Sequence, residues 1–268
     1  MAVTAQLVKE LREKGIVKAA KKADRVAAEG LCNVVFEGNV AYVYELNSET
    51  DFVAKNEKFT NLVALVGTTL LASNVTTTEE ALALVAEGKK VEEILLEATA
   101  TIGEKITLRR VTRVEKTDSQ VFGGYKHQGG KIAVLTVLEG GNEEVAKDIC
   151  MHVAAINPRY LSQEDISAEV VEQERTIIRN EALNENAQSA KPKPEAIIEK
   201  MVVGRLNKYL QEICLLNQAF VKNPDLTVAQ YLKNSNAAAV QYIRLGVGEG
   251  IEKKEVDFAA EVMAQVKA

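Results

Sequence analysis

The sequence predicts a mixed α+β fold: two similar subdomains of antiparallel sheet packed with helices, an inserted antiparallel helical hairpin (coiled coil) and a C-terminal helix. Three observations carry this prediction. A strand-turn-strand pattern running into a helical pattern occurs twice, once around Glu37-Gly38-Asn39 and once within VFGGYKHQGGKIAVLTVLEG. Two long stretches of helical period flank the polar turn SAKPKP. The 268 residues are 47% hydrophobic but only 5% aromatic, with no Trp, which favours helices over aliphatic cores and a smaller strand component. That length suits roughly two domains.

Element by element, Val3, Leu7, Val8 and Leu11 recur at helical spacing behind a Thr4 cap, giving a short helix over 3–13. After Gly15, IVKAAKKADRVAAEG reads as a second helix closed by Gly30, its cationic face formed by Lys18, Lys21, Lys22 and Arg25. LCNVVF and VAYVYEL form the first hairpin, which feeds through NSETDFVAKN into a helix bearing Phe59, Leu62, Val63 and Val66. TEEALALVAEGKKVEEILLEA gives two helical pieces around Gly88, and ITLRRVTRVEK returns to alternation. Residues 30–113 are therefore the first core subdomain. The second, 114–162 and 217–253, holds the second hairpin, the helix EEVAKDICMHVAAI stopping before Asn157-Pro158, a Thr227-capped helix and the strand AVQYIRLG. Between its parts lies the helical hairpin, 163–216, and VDFAAEVMAQVKA makes a terminal helix over 254–268.

The chemistry the sequence excludes is as informative. With 33 basic and 38 acidic residues the chain carries a net charge of -5 and no overall cationic field for phosphate backbones. An RNA-binding or scaffolding role would rest on the basic helix 14–25, which reads more readily as a solvated face. No segment approaches the roughly 20 apolar residues of a membrane span, and the start lacks a signal-peptide core, so a cytoplasmic protein is expected. Cys32, Cys150 and Cys214 are scattered among aliphatic neighbours, a pattern of buried free thiols in a reducing compartment. Without a Cys-x-x-Cys pair, and with only His127 and His152, neither a metal nor a cofactor is expected. No motif for covalent catalysis is present, so the chain does not read as an enzyme. Gly123-Gly124, Gly129-Gly130 and the Gly246–Gly250 run read as turn glycines rather than phosphate loops.

Two places stand out as candidate sites. In Thr50-Asp51-Phe52-Val53-Ala54-Lys55 a large aromatic follows an acidic residue at a strand-to-helix corner. Phe52 is either available to a partner or, because Phe59 lies seven residues on and shares its helical face, an ordinary core residue. Met151 and His152 lie in the helix before Asn157, on a face that could equally pack in the core.

The phrases KAAKKADRVAAEG, TDFVAKN, MHVAA, EVVEQER, EKMVVGRLNKY and VGEGIEKKEVDFAAEV, in this order and over almost the whole chain, resemble the elongation factor Ts family. The resemblance implies a guanine nucleotide exchange factor that acts by binding elongation factor Tu, GDP-bound or nucleotide-free, with no cofactor, metal, membrane or direct nucleic-acid contact. It implies that Thr50, Asp51, Phe52 and Val53 form a wedge, with Phe52 entering the partner beside its magnesium site. It further implies that Met151 and His152 touch the partner's distal domains, that 163–216 is the family's protruding coiled coil, and that the terminal helix returns to the nucleotide-binding domain. Against the family pattern, Glu13 runs directly into Lys14-Gly15-Ile16 where a Gly-Ala-Gly-Met-Met-Asp-Cys-Lys-Lys stretch usually intervenes. Most of the small N-terminal helical domain is accordingly expected to be missing, with 1–29 its remnant and a linker helix.

Overall fold

A computed structural model describes residues 17, 19 and 21–252; the helices expected over 3–13 and 254–268, and Lys18 of the basic stretch, lie outside this set. Its contacts divide into two units, Met1–Val114 with Gln128–Ile132 and Leu245–Ala268, and Glu115–His127 with Ala133–Arg244. The described part is mixed helix and sheet.

In the first unit β1 (Glu29–Glu37) and β2 (Val40–Ser48) pair antiparallel, with Glu37 opposite Val40 and Glu29 opposite Ser48. Beyond Val40, β2 is buried at every position, so both its faces are covered. On one face Tyr42, Tyr44 and Leu46 meet Phe59, Leu62, Val63, Val66 and Leu70 of the Glu57–Leu71 helix. Tyr44 makes that seam polar as well as apolar: its hydroxyl donates to Val63 O at 2.7 Å and accepts from Asn33 Nδ2 at 2.6 Å. On the other face stand Glu45 and Asn47, both buried. The two helical pieces expected around Gly88 are Thr78–Ala83 and Val91–Ile102, joined by a small ladder of β3 (Val85–Ala86) and β4 (Lys89–Lys90). β5 (Thr107–Glu115) completes the sheet in the order β1-β2-β5.

In the second unit β6 (Gln120–His127) and β7 (Ile132–Gly140) precede the Glu143–Ile156 helix. Two helices follow, Ala168–Ala187 and Glu195–Ile213. After them come a small ladder of β8 (Ala219–Phe220) and β9 (Asn223–Thr227), the Val228–Asn234 helix and β10 (Ala237–Gly246). The sheet order is β10-β7-β6. Each unit thus runs strand, strand, helix and later a third strand laid beside the second, so one connectivity occurs twice. The two long helices share a core of Ile178, Ala182, Ile198, Val202, Leu206 and Leu210. Arg179–Glu199 at 2.7 Å and Arg205–Glu185 at 2.6 Å flank it.

Two local readings change. Gly123 is no turn glycine: it lies within β6, and a Cβ there would collide with the Ala146 backbone, so its missing side chain lets the Glu143–Ile156 helix sit directly on the strand. The helix expected from Ile16 to Gly30 gives way to turn from Lys21, and Gly30 pairs with Asn47 inside the sheet. Lys105 Nζ takes the carbonyls of Ala23 (2.6 Å) and Arg25 (3.0 Å), tying this turn to the loop after Gly103. After β10, Gly248 N donates to Glu45 Oε1 at 2.8 Å. Cys32, Cys150 and Cys214 are all buried and free, and burial pushes the thiols of Cys32 and Cys150 up to about 12. Among the described residues no helix is long and apolar enough to cross a membrane, and no three His, Cys, Asp or Glu converge as metal ligands.

Candidate functional site

The corner after β2 is built from short-range capping. Thr50 is extended (φ -124, ψ 157) and caps a single-turn helix, Asp51–Ala54, by accepting from Val53 N at 3.5 Å. That helix stops at Lys55, and Asn56, again extended (φ -74, ψ 136), caps the next one by accepting from Lys58 N at 2.9 Å. The extended residue resets the helical phase. Phe52 and Phe59 therefore do not share a face: Phe59 is 0% exposed in the core, and Phe52 is 79% exposed. Ala54 is buried and Val53 packs against the same core, so the turn is rooted while its ring faces solvent.

Around Phe52 the electrostatics are mild. Asp51 pairs with Lys55 at 2.7 Å, and that hydrogen bond holds the Asp51 carboxyl below its usual range. Behind the turn, Glu104 accepts from Glu49 N at 3.1 Å and Thr50 N at 2.9 Å, and Thr50 Oγ1 donates to it at 2.6 Å. Glu49 in turn accepts from Lys105 N at 2.7 Å and from Arg25 Nη1 at 3.3 Å.

The second candidate pair sits in the other unit. Met151 is partly buried and His152 is 0% exposed. His152 Nδ1 accepts from Val221 N at 3.2 Å, which leaves the ring proton on Nε2 for Gln218 Oε1 at 2.9 Å. One turn earlier, Asp148 takes Lys222 Nζ at 2.5 Å and the Tyr231 hydroxyl at 2.9 Å. The helix thus braces the 218–222 segment through Asp148 and His152, and it is Val221 beside the ring that reaches solvent.

Burial depresses the His152 pKa from its ordinary 6.5, against a smaller opposing effect of the Gln218 bond. A second ring proton would also set a donor against Val221 N–H. Below about 6.5 the unfolded chain binds a proton that the folded one refuses, so stability is full above that pH and falls on acidification, by up to about 1.4 kcal/mol per pH unit. Thermal midpoints between pH 7.5 and 5.5 should show this fall, and a His152→Gln variant should flatten it; equal slopes would exclude His152 as its source.

Residues 49–249 match the sequence profile of the family described as Elongation factor TS. Elongation factor Ts of Acholeplasma laidlawii (strain PG-8A) is 60% identical over 257 residues, covering 96% of this chain and 86% of the relative. The chain belongs to the elongation factor Ts family. It is accordingly a translation elongation factor, of a family that works by guanine nucleotide exchange and not by covalent catalysis.

For a member of the elongation factor Ts family, the predicted residues fall into two settings. Thr50, Asp51, Phe52 and Val53 form one corner with an exposed ring at its apex. His152 presents no surface of its own, and the exposed groups it supports, at Val221 and Lys222, carry no sequence signal beyond a short turn. Sequence reasoning also missed Glu104, whose neighbours in GEK give no sign of its bonds 55 residues back to Glu49. Of the basic stretch, Lys22 donates to Gly103 O and Arg25 pairs with Glu49, so two of the cations that suggested RNA are engaged within the unit.

Proposed function

We propose that this chain binds elongation factor Tu and accelerates GDP release from it, with Phe52 as the wedge. The observation that carries the reading is a large aromatic side chain left in water on a turn whose neighbours are rooted in the core. Phe52 is the most exposed large hydrophobic side chain among the described residues, and aromatic anchors that become buried on binding carry much of the energy of protein interfaces. Phe52 enters the nucleotide-binding domain beside the magnesium ion. Displacing that cation leaves the diphosphate charge uncompensated, and moving the phosphate-cradling amides removes the rest of its site. Asp51 and Lys55 hold each other, so the ring arrives flanked by a neutralised pair. Val53 and Thr50 fix the backbone beneath it.

Met151, with His152 acting through the 218–222 segment, makes the second contact on the distal domains. The paired helices 168–213 correspond to the family's coiled coil. The place of work is the cytoplasm, with no direct nucleic-acid or membrane contact. Linkage then closes the cycle, since whatever factor the chain takes from GDP affinity, GDP takes from the affinity of the chain, and GTP can expel it.

The test is release of a fluorescent GDP analogue from elongation factor Tu, followed by stopped flow on adding this chain. The reading requires release to speed up saturably with chain concentration; a rate no different from spontaneous release would end it.

A further inference from the structure

Three loops meet behind the exposed ring, and the bonds between them are reciprocal. The carboxylate of Glu104 holds the amides of Glu49 and Thr50, while the carboxylate of Glu49 holds the amide of Lys105. Thr50 Oγ1 donates its proton to Glu104 and with its lone pair caps Val53 N, so the cap is oriented by the carboxylate. The turn from Lys22 to Arg25 closes the set through Lys22 to Gly103 O, Arg25 to Glu49, and Lys105 Nζ to the carbonyls of Ala23 and Arg25. Gly103 makes the geometry possible: its left-handed φ of 93 ends the Val91–Ile102 helix and turns the chain so that Glu104 faces the corner.

A four-residue helix has no stability of its own, because it ends before the gain from propagation offsets the cost of nucleation. The direction of Phe52 is therefore set from outside the helix. Ala54 and Val53 anchor its far end, and the near end is anchored by Glu104.

We infer that Glu104 is a positioning residue for nucleotide exchange: it touches no partner, and it holds the Thr50 cap so that Phe52 is presented already ordered. The inference rests on the exchange reading above. Without the carboxylate, three donors at the base of the turn lose their acceptor, and the ring must be ordered during binding instead of before it.

The experiment measures analogue release from elongation factor Tu with the full chain, Glu104→Ala, Glu104→Gln, Phe52→Ala and the Phe52→Ala/Glu104→Ala double variant, each with its thermal midpoint. Glu104→Ala should cut stimulated release about tenfold. Glu104→Gln, which keeps an acceptor for the amides, should recover most of it. The double variant should be no slower than Phe52→Ala alone, because the two act through one ring. Additive losses, or a loss in Glu104→Ala that disappears once assay temperatures are matched to its thermal midpoint, would overturn the positioning role. Phe52→Ala releasing as fast as the unaltered chain would instead overturn the wedge, and no acceleration by the unaltered chain would overturn the exchange reading, so the failures are distinct.

Discussion

Phe52→Ala should remove most of the acceleration of GDP release, by about thirty-fold, while leaving the thermal midpoint where it was. The size follows from anchor residues at interfaces, where truncation of a buried aromatic costs about 2 kcal/mol or more. The unchanged midpoint follows from its 79% exposure: the ring leaves the core unaffected when it is cut back, and surface substitutions of this kind stay within about 0.5 kcal/mol. Phe59→Ala, seven residues away and fully buried, should do the reverse, lowering stability by about 3 to 5 kcal/mol through the cavity it leaves. Stopped-flow release together with thermal melts separates the two. If Phe52→Ala melted early and exchanged normally, the ring would be a packing residue after all.

A second large effect on stability should come from Glu45. Its carboxylate is 0% exposed and accepts from Arg109 Nη1 at 3.1 Å, Arg110 Nε at 2.5 Å, Asn47 Nδ2 at 2.8 Å and Gly248 N at 2.8 Å. The guanidiniums reach further, Arg109 to Glu249 O and Arg110 to Gly246 O, both at 2.7 Å, so one buried anion organises β5 and the turn after β10 together. Replacing it with Gln sets an amide donor against either the two guanidiniums or the Asn47 and Gly248 N–H groups, and leaves charge unbalanced. Removing one partner of a buried pair costs roughly 3–5 kcal/mol, here nearer the lower figure because both arginines are 28% exposed. Against a total stability of roughly 5–15 kcal/mol, a urea titration of Glu45→Gln should show a large loss in midpoint. A shift below about 0.5 kcal/mol would mean that the charge network contributes little net stability and that the backbone bond from Gly248 suffices.

What was legible in the sequence depended on how local its cause was. The hairpin at Gly38-Asn39, the break between two helices at Gly88 and the stop at Asn157, which is left-handed with φ 55, are each set by residues within a few positions, whereas the two-residue ladder that fills the break was not foreseen. The phase of Phe52 was misleading because seven-residue spacing implies a shared face only in an unbroken helix, and the signal that breaks it, Asn56 before Glu57-Lys58, reads as one more polar residue in a helical run. Glu45 was hidden for a different reason. A charged residue in VAYVYEL suggests a solvent face, and nothing nearby announces that a turn some two hundred residues later covers it. Glu104 likewise has its meaning elsewhere in the chain, at Glu49 and Thr50.

The bond from Gly248 to Glu45 spans 203 residues, and it sets a clock on synthesis. At roughly 5–20 residues per second a ribosome needs about 10 to 40 s to go from one end of that bond to the other. Throughout this interval the nascent strand carrying Glu45 lacks the amide donor that completes the partners of its carboxylate. The second unit, Glu115–His127 with Ala133–Arg244, is fully synthesised before the segment beginning at Leu245 arrives. The N-terminal unit, first to be translated, is therefore the last that can be finished, and its half-built sheet is what a chaperone would meet.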